Sequence, residues 1–99
     1  MEANAGFLGL NEVAVTKITF KLFAQLQDYL PAEARKTNAC EVEITDATSV
    51  AQVIERFRLP AKLVHLVLLD GAFVPPADRA GRILHDGETL AVWPPVAGG

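Results

Sequence analysis

The residues best suited to chemistry are the last seven, Trp93-Pro94-Pro95-Val96-Ala97-Gly98-Gly99. Neither Gly98 nor Gly99 carries a Cβ, so this end is as narrow as polypeptide can be and adopts backbone angles closed to other residues. Read as a terminus, it presents a carboxylate that can thread a tight tunnel in a partner and be worked on there. Pro94 and Pro95 hold φ near about −65° and favour extended polyproline geometry, which predicts a tail that projects away from the body. An α-carboxyl group with an ordinary pKa of roughly 3.3–3.7 is ionised at neutral pH and is a poor electrophile until something activates it. Frayed ends often contain glycine for no functional reason. The direct join to an apolar strand through Pro-Pro argues for a purpose here.

The other reactive side chains read as bland. Cys40 opens a predicted strand without a histidine beside it or a helix start to lower its pKa, so it reads as a structural thiol. His65 and His85 are isolated from each other and from other ligand types, which gives no metal site. No G-x-x-x-x-G-K-[ST] loop and no G-x-G-x-x-G is present, so the chain lacks the parts of a self-contained nucleotide enzyme. Lys17, Lys21, Lys36 and Lys62 read as surface charges.

The elements that must position the tail follow from periodicity. Ile18, Phe20 and Leu22 alternate with Lys17, Thr19 and Lys21, predicting a strand within Val13 to Phe23 with one wet face. Leu26, Tyr29 and Leu30 have helical spacing and are stopped by Pro31. Residues 31–38 read as a polar loop. Val42 and Ile44 alternate with Glu41, Glu43 and Thr45, predicting a second strand antiparallel to the first. Ser49 and Gln52 have the spacing of a capping box. Val50, Val53, Ile54 and Phe57 then form one apolar stripe, and Pro60 is expected to end the helix. Val64 to Leu69 is apolar apart from His65 and meets the turn signal Asp70-Gly71, after which Ala72 to Val74 can return as a short edge strand before Pro75-Pro76. Asp78 to Leu84 reads as loop with room for a helical turn. Asp86-Gly87 is another turn, and Thr89 to Trp93 a final strand, apolar enough at Leu90-Ala91-Val92 to be central.

This order predicts an α+β chain of the β-grasp (ubiquitin-like) type: a mixed sheet of four to five strands curled around one main helix, with a C-terminal Gly-Gly tail. The organisation reads as an extension over residues 1–12, a domain over 13–93 and an extended tail over 94–99. In Val64 to Leu69, successive side chains point to opposite faces, so Leu66 and Leu68 cannot share a face with Val67 and Leu69. One set packs on the helix. The other, with Phe73 and Trp93, forms an association patch or is covered by the loop from Pro75 to Leu84.

Composition narrows the field. A hydrophobic fraction of 51% with 21% charged residues is that of a folded domain, not a disordered chain. A net charge of −3 without a basic cluster argues against nucleic-acid binding. No apolar run approaches the roughly 20 residues of a membrane span. The first residues lack a basic n-region and an apolar h-region, so no signal peptide is expected. With a single cysteine no internal disulfide can form, which fits the cytoplasm.

Three stretches resemble the MoaD/ThiS family of ubiquitin-like sulfur carriers. Phe20-Lys21-Leu22-Phe23-Ala24-Gln25-Leu26 is similar to that family's first strand and its exit, and Thr48 to Phe57 to its main helix. Asp86 to Gly99 is similar to its C-terminal signature, in which an aspartyl-glycine turn leads through a strand to an aromatic-Pro-Pro-Val-small-Gly-Gly end. Trp93 stands where Phe is more usual. The likeness runs from about Val15 to Gly99. The extension before it and the stretch Pro75 to Gly81 depart from the family's pattern.

The resemblance implies a carrier and not an enzyme. Gly99, with Gly98 beside it, would be adenylylated by a ubiquitin-activating-type adenylyltransferase that uses ATP. A persulfide-bearing sulfurtransferase would then convert it to a thiocarboxylate. This chain would bind no cofactor and no metal. It would act as the small subunit beside the large subunit of molybdopterin synthase in molybdenum cofactor formation, with Phe73, Trp93, Pro94, Pro95, Val96 and Ala97 against partners. Carriers for thiazole or a tungsten cofactor, and a ubiquitin-like modifier joined to lysines through Gly99, are the other functions this likeness implies. A plain interaction domain with an inert tail is the bland alternative.

Overall fold

The computed structural model describes residues 15–96, so the expected extension over 1–12 and the residues Ala97, Gly98 and Gly99 lie outside the described part. Strand β1 spans Thr16–Leu22, β2 Ala39–Ile44, helix α1 Val50–Arg56, β3 Leu66–Leu69, β4 Ala72–Phe73 and β5 Thr89–Trp93. The five strands form one mixed sheet in the order β2-β1-β5-β3-β4. β1 and β5 run parallel, with Thr19 opposite Thr89 and Leu22 opposite Val92, while the other neighbours are antiparallel. The last strand is therefore the central one, as its apolar run predicted, and the sheet with its single main helix is the β-grasp arrangement.

Alternation sets the core. Ile18, Phe20 and Leu22 are at most 1% exposed and lie on the face that carries Val42 and Ile44 of β2, Val67 and Leu69 of β3, and Leu90 and Val92 of β5. Val50 and Val53 of α1 are fully buried in the same cluster, and Ile54 and Phe57 are packed at its margin. The Phe57 ring lies 4.6 Å from that of Phe20, tilted by 49°. Ala91 is buried as well, although it sits on the opposite face of β5. A methyl group between the larger side chains of flanking strands is easily covered.

The helix is short, and its ends explain why it holds. Ser49 Oγ accepts from the Gln52 amide at 3.2 Å and Gln52 Oε1 from the Ser49 amide at 2.8 Å, completing the capping box. The remaining early amides are also met: Val50 N–H donates to the Arg82 carbonyl and Ala51 N–H to that of Arg79, both at 2.9 Å. The helix ends before Pro60, against expectation. Arg58 takes φ +58°, its amide donates to Glu55 O, and the Leu59 amide reaches Ile54 O. That pair of bonds is a Schellman motif, so the chain leaves the helix by a left-handed residue and not by a proline block.

The short helix expected after β1 forms at Ala24–Tyr29 as a 3₁₀ helix, entered through Ala24 at φ +54°. The stretch expected to be plain loop after Pro31 contains another 3₁₀ turn at Ala32–Ala34, and one more precedes β3 at Ala61–Leu63. Leu26, Leu30 and Ala34 are buried, which is why these turns stay packed. The Asp70-Gly71 turn forms as read, with φ +49° and +84° at its two central residues, the signature of a two-residue type I′ hairpin. Asp70 also ties the hairpin to β5: its amide donates to Thr89 O at 2.8 Å and its Oδ1 accepts from Thr89 N–H at 2.7 Å.

Candidate functional site

The site is the place where β5 leads out of the sheet to Pro95 and Val96. Strand β5 is gripped from both sides at its last residues. The Phe23 amide donates to Val92 O at 3.2 Å from the β1 side, and the His65 amide to Trp93 O at 3.0 Å from the β3 side. The Trp93 ring lies flat on that of Phe23, with centroids 4.4 Å apart and planes 5° from parallel. Both rings are half-buried, and Pro94 is buried. Pro94, expected in the projecting tail, packs on the domain instead, because the strand's grip continues through Trp93. Outward character begins at Pro95, which is exposed, and Val96 is 74% exposed. Ala97, Gly98 and Gly99 lie outside the described residues.

The expected patch is also traceable. Leu66 lies opposite Trp93, and Leu68 lies between Ala91 and Phe73 in register. Val67 and Leu69 face the core, so Leu66, Leu68, Phe73 and Trp93 fall on the outer face. Leu66 and Leu68 are half-buried and Phe73 is 56% exposed. The loop from Pro75 to Leu84 is tied to the start of α1, through the Arg79 and Arg82 carbonyls and a Leu84 amide bond to Thr48 O at 2.9 Å. Across β1 and β2 the same face turns polar: Lys17 opposes Glu43, and Thr19 opposes Glu41. The sheet thus presents an apolar half adjoining the tail root and a charged half beyond it.

Reasoning from sequence missed Phe23 and the anchors of the following loop. Phe23 directly follows a strand pattern and reads as its last residue; only the parallel pairing of β1 with β5 brings it to Trp93. In the loop, Glu88 accepts from the His85 amide at 2.6 Å and from Arg82 Nη2 at 3.1 Å. Arg79 donates through Nε to Val74 O at 3.1 Å, and burial lowers its pKa. These residues brace the loop and stand apart from the tail.

The bland residues are placed as follows. Cys40 is half-buried in edge strand β2, and burial, with Glu33 nearby, pushes its thiol pKa up. A raised pKa disfavours the thiolate that a nucleophile needs. Among the described residues no group of three His, Cys, Asp or Glu side chains could hold a metal ion. Among them, too, no helix is long and apolar enough to cross a membrane.

Among the described residues, a mixed five-stranded sheet wrapped on one α-helix, with β5 at its centre leading to exposed Pro95 and Val96, defines the ubiquitin-like class of β-grasp domains. The family model described as Mut7-C ubiquitin matches residues 15–98, and the chain belongs to that family. No curated protein gives a significant sequence match. Solved structures share the fold. The Haloferax volcanii HVO 2177 protein is 21% identical, with 99% of this chain and 100% of that one covered at a TM-score of 0.67. SAMP1 from the same organism is 22% identical, with 84% and 99% covered at a TM-score of 0.55. A Pyrococcus furiosus protein provisionally described as molybdopterin converting factor, subunit 1, is 19% identical, with 82% and 99% covered at a TM-score of 0.58. At such identities the likeness is one of fold.

Proposed function

We propose that this protein is a sulfur carrier whose Gly99 is adenylylated and converted to a thiocarboxylate, and that it donates this sulfur in molybdopterin formation. The observation that carries the reading is that the central strand of a β-grasp sheet leads into exposed Pro95 and largely exposed Val96, which directly precede Ala97-Gly98-Gly99 in the sequence. In adenylylation a carboxylate oxygen of Gly99 attacks the α-phosphorus of ATP and pyrophosphate leaves, so that this oxygen can later depart with AMP. The outer sulfur of the sulfurtransferase persulfide then attacks the acyl carbon and displaces AMP. A second thiol of that partner cleaves the resulting acyl disulfide, leaving the thiocarboxylate on Gly99 and a disulfide on the partner. The glycines supply no acid or base; their part is slimness, which lets the activating enzyme and the sulfur acceptor enclose the acyl group.

Three partners follow from this reading: an ATP-using adenylyltransferase, a sulfurtransferase, and the large subunit of molybdopterin synthase. The apolar outer half of the sheet, with Phe73 and Trp93, adjoins the tail root and would seat a partner while Pro95, Val96 and Ala97 lead into its active site. Pro94 would act from within the domain, fixing where the tail leaves.

A modifier role is the second reading, favoured by the fold shared with a protein described as small archaeal modifier protein 1. There Gly99 would end in an isopeptide bond to lysine. Intact-mass spectrometry of the protein made together with its activating enzyme separates the two. One terminal oxygen exchanged for sulfur supports the carrier; conjugates on lysines support the modifier. An unchanged mass would sink both.

A further inference from the structure

We propose that Phe23 is a positioning residue for the C-terminal tail: its ring, set against Trp93 by the left-handed turn at Ala24, fixes the point from which the tail departs. The purpose assigned to it rests on the carrier reading; the geometry does not. The pairing of β1 with β5 ends at Leu22 and Val92, and in an ordinary strand the next side chains would diverge as the chains separate. Here β1 does not continue. Ala24 turns at φ +54°, a left-handed conformation that a residue with a Cβ adopts only when its surroundings hold it there. The chain then enters a 3₁₀ helix whose Leu26 is fully buried. Because the backbone is redirected one residue after Phe23, the ring stays over the outer face and meets Trp93 in a near-parallel stack at 4.4 Å. Behind the stack, Pro94 is buried.

The consequence is a defined reach. The five residues after Pro94, numbers 95 to 99, can span at most about 18 Å when fully extended. With Trp93 and Pro94 held, that length sets the farthest reach available from one fixed point beside the apolar patch. Were Trp93 and Pro94 to come loose, each would add about 3.5 Å of tether and many more directions. A partner would then have to order that extra chain on binding, which weakens association without changing the chemistry.

The single tryptophan makes the root directly observable. In the full chain, Phe23→Leu keeps apolar volume but removes the stack, Phe23→Tyr keeps the stack, and Phe23→Ala removes both. With Phe23→Leu, Trp93 emission is expected to shift red. The detached population should rise roughly two- to tenfold, as the strength of an aromatic pair implies, with greater acrylamide quenching and a lower ¹⁵N–¹H heteronuclear NOE at Val96. Phe23→Tyr should restore wild-type values. With the activating enzyme, Phe23→Leu should raise KM for charging and leave kcat unchanged, with substrate concentrations corrected for the folded fraction measured by circular dichroism, since unfolded substrate would by itself raise the apparent KM.

Unchanged Trp93 emission and Val96 dynamics in a folded Phe23→Leu protein would overturn the proposal, whether or not the tail is charged. A loosened root with unaltered KM would overturn it as well. A loosened root in a protein whose wild type is never charged would remove the carrier reading and leave the positioning role standing.

Discussion

Replacing Phe57 by alanine tests how the helix is seated on the sheet. Sequence periodicity alone places Phe57 on the buried stripe, where truncation of an aromatic costs about 3–5 kcal/mol. The structure places it at the C-cap of α1, partly buried, against the fully buried Phe20 at 4.6 Å. With roughly two-thirds or more of the residue out of water, that cost scales to about 2–4 kcal/mol, a range that already contains the aromatic pair's share of about 0.5–1.5 kcal/mol. The expected loss is thus about 2–4 kcal/mol, below that for Phe20→Ala. Urea unfolding followed by Trp93 fluorescence and far-UV circular dichroism gives the value, and coincident curves secure the two-state treatment. A domain of this size should lose about 4–8 °C in Tm for each kcal/mol. A double-mutant cycle with the milder Phe20→Leu and Phe57→Leu isolates the pair, with an expected coupling of about 0.5–1.5 kcal/mol. If Phe57→Ala cost as much as Phe20→Ala, or if the two leucine variants were simply additive, the seating described for α1 would be refuted.

Other outcomes follow from the same structure. Ser49→Ala removes an acceptor from a buried capping box in a seven-residue helix and should cost about 1–2 kcal/mol in chemical denaturation; a neutral result would mean that the Arg79 and Arg82 carbonyls suffice. Arg58→Gly relieves a left-handed residue at a cost in unfolded-state entropy, for a net gain of about 0.5–1 kcal/mol, seen as a higher urea midpoint with unchanged slope. Cys40, whose thiol pKa is raised from the ordinary 9.0 by burial and then by Glu33, should alkylate more slowly with iodoacetamide in the folded protein than in urea at the same mildly alkaline pH. The folded state holds this proton more tightly. Its contribution to stability is therefore complete below the unfolded pKa and disappears as pH rises through the folded one; a Cys40→Ser protein should lack that part of the alkaline decline. Removal of Gly98 and Gly99 should abolish charging and leave the unfolding midpoint in place, since exposure already dominates at Val96.

Local rules made most of the elements legible. Period-two alternation marks β1 and β2, and the capping box places the start of α1 at the residue observed. Asp70-Gly71 specifies a hairpin because few other pairs tolerate two successive positive φ values. The helix ends ahead of Pro60 for a physical reason. A proline stops a helix by sterics that sequence displays, whereas Arg58 stops it by adopting a conformation that arginine rarely takes and that the burial of Leu59 holds in place. Short apolar spacing likewise cannot tell a 3₁₀ helix from an α-helix over six residues, as at Ala24–Tyr29.

The candidate site divides along the same line. Sequence by itself determined the chemistry on offer: a narrow diglycine end, a stiff Pro-Pro lead and an apolar strand before them, all properties of covalent structure that survive in any conformation. It also determined that Leu66 and Leu68 would face away from Val67 and Leu69, because strand geometry admits nothing else. Only the tertiary structure decided where the tail begins. The parallel pairing of β1 and β5 joins residues seventy positions apart in the chain, stacks Phe23 on Trp93 and buries Pro94. No local pattern encodes such a meeting, because it depends on which strands become neighbours, and that is settled by the packing of the whole core.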